Sequence, residues 1–221
     1  MGFKVKESAT FDEKFKKLIQ NGNYEQIIFQ IMKDSKEVFP NQYEYITSQG
    51  NGECDFVEKG SGKKFDAKLP LTTEQGKLVG SRKGNLLKYC QSINKGLEEF
   101  GEYIESNDED KFENITLYQR IKELIERDKS DENIIFLFTY PVVFDSGESS
   151  MILFINDSLD YFFQALKKDG LTKNREIYVI YPNALRQLVL RRLNDDKREY
   201  IKDRYLSEYI SYDMEILSKE E

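Results

Sequence analysis

Apolar residues recur at a helical period near the start of the chain. Phe11, Phe15, Leu18 and Ile19 share one face of a helix expected over 10–20, and Ile27, Ile28, Ile31 and Met32 share one over 24–37. Asn21-Gly22-Asn23 separates the two, and Pro40 ends the second by biasing its neighbour away from helix. An extended stretch at 43–47 follows. From Glu53 to Leu69 the period changes to two, with a break at Lys59-Gly60-Ser61-Gly62, which predicts a β-hairpin. The segment from Pro70 to about Arg82 reads as a polar, Gly-containing loop. Leu86, Cys90, Ile93, Leu97, Phe100 and Ile104 then keep a 3.6 period, predicting a helix over 82–105 packed on the apolar face of the hairpin.

Beyond an acidic connector at 106–110, Leu117, Ile121, Leu124 and Ile125 mark a helix over 114–129. The run 133–144 is apolar without alternation, as expected of a strand buried on both faces. A short strand at Met151–Ile155, a helix capped by Ser158, a strand at Glu176–Tyr181 and a helical region from Asn183 to about Ser211 complete the reading. Helices and strands alternate in a mixed α/β order. One domain is expected over 1–221, with a core at about 24–144 and a C-terminal α/β extension at about 145–221.

The hairpin carries the candidate chemistry. With a turn at Gly60-Ser61, Phe56 faces Phe65, Asp55 faces Asp66 and Glu53 faces Lys68. Alternation then places Cys54, Phe56, Phe65, Ala67 and Leu69 on an apolar face and Glu53, Asp55, Asp66 and Lys68 on the other. Two carboxylates opposed across a ladder repel, and a divalent cation between them would offset that repulsion.

Composition narrows the chemistry further. The 221 residues include no His, which excludes Ser-His-Asp and Cys-His catalysis and histidine zinc sites within this chain. Cys54 and Cys90 are the only cysteines, with no CxxC spacing, so a disulfide framework is not expected. There is no apolar leader and no run long enough to span a membrane, so the expected location is cytoplasmic. The formal charge is −7, yet eight cations and only two carboxylates lie between Lys59 and Tyr89. Lys64, Arg82, Lys83 and Lys88 in that basic segment are candidates for contacting phosphates.

Asp55, a Gly-rich turn, then Asp66-Ala67-Lys68 resemble the motif of the PD-(D/E)xK nucleases, and the order helix, three strands, helix, strand resembles their restriction-endonuclease-like αβββαβ core. Cys54 stands where proline often precedes the first aspartate, and the helix at 114–129 is an addition. The resemblance implies a mixed sheet with additional helices and a Mg²⁺- or Mn²⁺-dependent nuclease acting on DNA. In it Asp55, Asp66 and the Ala67 backbone carbonyl hold the metal and Lys68 assists the attacking water. Family members often add a helical carboxylate, for which Glu25 and Glu37 are candidates; Glu53 is another possible ligand. Restriction or antiphage defence is the implied setting, and a homodimer or a partner protein is compatible with it. The rival expectation is a non-catalytic subunit that uses the fold to bind a partner protein or nucleic acid. In that reading Asp55, Asp66 and Lys68 are ordinary charges on an exposed sheet face.

Overall fold

The computed structural model describes residues 3–5, 11–20, 23–46, 54–81, 86–128, 132–139, 150–183, 185–209 and 217–219. The chain forms β1 (Phe3–Val5), α1 (Glu13–Gln20), α2 (Asn23–Asp34), β2 (Tyr43–Tyr45), β3 (Phe56–Glu58) and β4 (Lys64–Lys68). Then come α3 (Thr73–Gly80), α4 (Leu86–Ser106), α5 (Glu109–Glu113), α6 (Thr116–Arg127) and β5 (Asn133–Leu137). The last elements are α7 (Ser150–Lys168), β6 (Ile177–Pro182), β7 (Gln187–Arg192), β8 (Lys197–Lys202) and β9 (Leu217–Lys219). β1 and β9 pair with each other. The other strands form a seven-stranded mixed sheet in the order β2-β3-β4-β5-β6-β7-β8. Pairing is antiparallel except for β4 with β5 and β5 with β6, which are parallel.

Alternation along the strands supplies two cores. Phe56, Phe65, Ala67, Ile135, Leu137, Tyr178 and Ile180 face one side, where Phe15 and Leu18 of α1, Ile28 and Ile31 of α2 and Val79 of α3 cover them. Ile134, Phe136, Ile177, Val179 and Val189 face the other, covered by Phe112 of α5, Tyr118 and Ile121 of α6 and Phe162 of α7. β5 and β6 are buried along their whole length, which explains why their sequences carry no polar alternation.

α4 is placed differently from the sequence expectation. Leu86 and Tyr89 belong to the first core, Phe100 belongs to the second, and Ile93 packs against both. Ile104 is 46 % exposed, so the helix covers both cores and frays its apolar stripe into solvent. The side chain of Leu97 lies outside the described residues, as does the 140–144 part of the expected strand.

Three further expectations are corrected. The segment after Pro70 is not a loop but contains α3, begun by a capping box in which Thr72 accepts from the Gln75 N–H and Gln75 accepts from the Thr72 N–H. Met151–Ile155 is not a strand; it and Ser158 lie inside α7, whose Leu159, Phe162 and Leu166 are buried in the second core, and that packing outweighs the local cap signal at Ser158. The closing helical region is instead the β7–β8 hairpin. Its charges misled the reading, because Arg191 looks like a surface residue but is buried and ion-paired to Asp160 and Asp196. Asp196 has φ 56°, a left-handed turn position that Asp tolerates better than most side chains. No described helix is long and apolar enough to cross a membrane.

Candidate metal centre

The β3–β4 ladder runs through Phe56↔Phe65 and Val57↔Lys64, the register expected from the turn. It stops there. At Asp55 the chain bends: its N–H donates to the Phe65 carbonyl at 3.0 Å, and its side chain accepts from the Ala67 N–H at 2.7 Å. The carboxylate thus makes the bond to β4 that a longer β3 would have made with its backbone. Asp55 and Asp66 are therefore not a ladder pair, which corrects the expected direct opposition. They are still neighbours: both line one cleft, and Asp66 is among the groups that raise the Asp55 pKa.

The surroundings of Asp55 hold its carboxyl above the usual carboxylate range. Asp55 is only 4 % exposed. Burial is the largest cause of a rise to about 8; the hydrogen bond and charge of Asp66 and the charge of Glu25 add to it, against the lowering effect of the Ala67 N–H.

Asp66 and Lys68 alternate along β4 with the buried Phe65 and Ala67, so they share the opposite face. The Lys68 ammonium is ion-paired with Asp66. Ala67 turns its N–H toward Asp55, and the two backbone polar groups of a strand residue point to the same neighbour. Its carbonyl accordingly faces the same side. Glu25, in the first turn of α2, accepts a hydrogen bond from the Tyr45 hydroxyl at 3.0 Å and lines the same cleft.

Two acidic residues that the sequence reading did not single out complete the cluster. Asp128 caps the C-terminus of α6, and Glu132 immediately precedes β5. The parallel pairing of Asp66 with Ile134 places Glu132 on the same sheet face, diagonally next to Asp66. One carboxylate oxygen from each of Asp66, Asp128 and Glu132 lies within 4.8 Å of the others. Arg175 approaches Asp128 at 4.0 Å. The visible signal was an acidic stretch directly before a fully apolar strand; its value depended on β5 being parallel to and beside β4.

These groups open into a cleft of about 1060 Å³, walled by β4, α2, the start of α3 and one face of α6. Its cations are Lys68, Arg120 and Arg127. Among the expected phosphate contacts, Lys64 is exposed on the Asp66 face of β4 and Lys88 is exposed on α4, but neither lines the cleft. Glu37 is also exposed and away from it, with its N–H donating to Glu199 at 3.0 Å. Arg82, Lys83 and Glu53 lie outside the described residues.

The donor set fits a hard divalent cation. It consists of carboxylate oxygens with a strand carbonyl beside them, and it brings together more negative charge than Lys68 and Arg175 neutralise. Such a set can hold Mg²⁺ or Mn²⁺ beside a lysine, an arrangement suited to activating water against a phosphate ester. No family model, curated protein or solved structure matches the chain.

Proposed function

We propose that this protein is a metal-dependent nuclease that hydrolyses phosphodiester bonds in DNA. The observation that carries the reading is the meeting of Asp55, Asp66 and Lys68 in one cleft, with the lysine ion-paired to Asp66 and carboxylate oxygens of Asp128 and Glu132 within 4.8 Å of Asp66. The order of elements supports it: α2, the antiparallel β2-β3-β4, α4 and the parallel β5 follow the αβββαβ order of the PD-(D/E)xK core, with α3, α5 and α6 added.

Asp55, Asp66 and the Ala67 carbonyl would hold the metal, with Glu132 and Asp128 close enough to Asp66 to contribute and Glu25 on the wall of the same cleft. A divalent ion bound there would polarise the phosphate and lower the pKa of a coordinated water. The Ala67 N–H fixes the Asp55 carboxylate in one orientation, and the bend at Asp55 keeps it over the end of β4. Lys68 is tethered by Asp66 on the open face, where it can position the attacking water or take its proton. The chain has no His that could take that proton.

Action in restriction or antiphage defence follows from the family resemblance. The alternative is a non-catalytic subunit that binds nucleic acid or a partner protein through the same cleft. Incubation of the protein with supercoiled plasmid and with single-stranded DNA, in Mg²⁺, Mn²⁺ or EDTA, separates the two. Cutting that requires the metal and is lost in Asp66→Asn supports the nuclease. Binding without cutting in either metal supports the subunit.

A further inference from the structure

The cleft is acidic at one end, and a phosphate backbone entering it needs cations that are placed before any metal neutralises the carboxylates. Lys68 is paired to Asp66, and the other cations that line the cleft are not in the described part of the basic segment around the hairpin. They lie on α6, where Arg120, Leu124 and Arg127 all line the cleft at helical spacing i, i+4, i+7, and Asp128 caps the same helix beside the acidic cluster. The two arginines differ in how they are held. Arg120 is anchored: its Nε donates to the Leu71 carbonyl at 2.7 Å and its Nη1 pairs with Glu123 at 3.1 Å. Arg127 is 70 % exposed at the side chain and meets Glu123 only at 3.6 Å, so its guanidinium can turn to a ligand at little cost.

We propose that this face of α6 is the phosphate-binding wall of the cleft, with Arg127 contacting the backbone next to the carboxylate cluster and Arg120 contacting it further along. The proposal rests on the nuclease reading for the identity of the cluster, but not for the binding of a strand. Seven residues of α-helix separate the two arginines by about 10 Å, and stacked nucleotides advance ~3.4 Å along each strand, so the wall spans about three nucleotides. Leu124 between them offers an apolar surface to a sugar or base edge. The planar guanidinium suits bidentate contact with phosphate oxygens, which distinguishes this wall from the exposed Lys64 and Lys88.

The test measures binding of fluorescent single-stranded and duplex DNA oligonucleotides by anisotropy across a series of salt concentrations, in Ca²⁺ at levels that give no cutting, alongside cleavage of the same oligonucleotides in Mg²⁺. Arg127→Gln, Arg127→Lys and Lys173→Gln are compared with the parent protein; Lys173 is exposed and outside the cleft. The expected result is that Arg127→Gln weakens binding and flattens the log–log salt dependence by about 0.7–0.9, the share of one phosphate contact. Arg127→Lys should keep most of that slope, and Lys173→Gln should leave both quantities unchanged. The DNA form that loses affinity identifies the bound strand. An unchanged slope in Arg127→Gln, or an equal loss in Lys173→Gln, overturns the proposal, as does a parent protein that binds neither form. A parent that binds through Arg127 but never cuts leaves the wall standing and removes the nuclease.

Discussion

Asp55 shows how a single side chain can be structural and chemical at once. Its carboxyl closes the end of the β3–β4 ladder on the Ala67 N–H, and burial together with the nearby Asp66 pushes its pKa up to about 8. The sign of the consequence follows from linkage. A carboxyl whose folded pKa is raised binds more protons folded than unfolded between the ordinary value of about 4 and about 8, so metal-free stability should fall as pH rises through that window. Asn at this position can still accept from Ala67 but cannot ionise. Asp55→Asn should therefore flatten the pH dependence of the denaturation midpoint between pH 5 and 8 in EDTA; an unchanged slope would mean that another group is responsible. Lys68 makes a different contribution. Lys68→Ala leaves every carboxylate in place, so calorimetric titration should still detect Mn²⁺ while turnover falls ~10²–10⁴-fold, the usual range for a lost proton-transfer group. Full activity in that variant would make Lys68 only the counter-charge of Asp66.

The elements around the cleft were legible in unequal degrees. The hairpin register followed from alternation and turn chemistry, because a one-residue slip would have moved Phe56 and Phe65 out of the core. α3 was missed although Thr72 and Gln75 carry a capping-box pattern, since Gly76 and Gly80 gave the segment the composition of a loop. That box holds the start of α3 against the cleft, to which Thr72, Thr73 and Gly76 contribute. Thr72→Ala should cost about 1 kcal/mol in urea denaturation, the typical value of a lost N-cap. A loss near zero would show that tertiary packing alone maintains the helix. β7 was misread for the opposite reason: Leu188, Val189 and Leu190 are buried without alternation and Arg191 is a buried ion, so neither the strand period nor the polarity of its residues was visible.

At the scale of the molecule, the sheet gathers acidic groups from segments far apart in the chain. Glu25, Asp55, Asp66, Asp128 and Glu132 converge because β4 and β5 are parallel neighbours and α6 ends beside them. Their mutual repulsion makes the folded state a better ligand for divalent cations than the unfolded chain. Mg²⁺ or Mn²⁺ should thus raise the melting temperature with concentration, by an amount equivalent to about 2.7 kcal/mol at a hundredfold excess over Kd. In Asp66→Asn the response should vanish while metal-free stability stays nearly level, since relief of the repulsion from Asp128 and Glu132 offsets the lost ion pair with Lys68. Unfolding of that variant in EDTA would instead assign Asp66 to the architecture.

What the chain determined by itself was local. Periodicity specified α1, α2, α4 and α6, unbroken apolar runs specified β5 and β6, and alternation with a Gly-rich turn specified which residues of the hairpin share a face with Asp66 and Lys68. The absence of His restricted the chemistry to carboxylates, lysine, tyrosine or a hard metal ion before any geometry was known. The tertiary structure decided the rest: that Asp55 meets Asp66 through a bend rather than a ladder pair, that Asp128 and Glu132 join them, and that Arg120 and Arg127 line the cleft with Lys68. Local propensity acts between residues a few positions apart, whereas strand order and parallel pairing set which distant side chains become neighbours. Those are outcomes of burying both faces of one sheet at once, and no short window of sequence contains them.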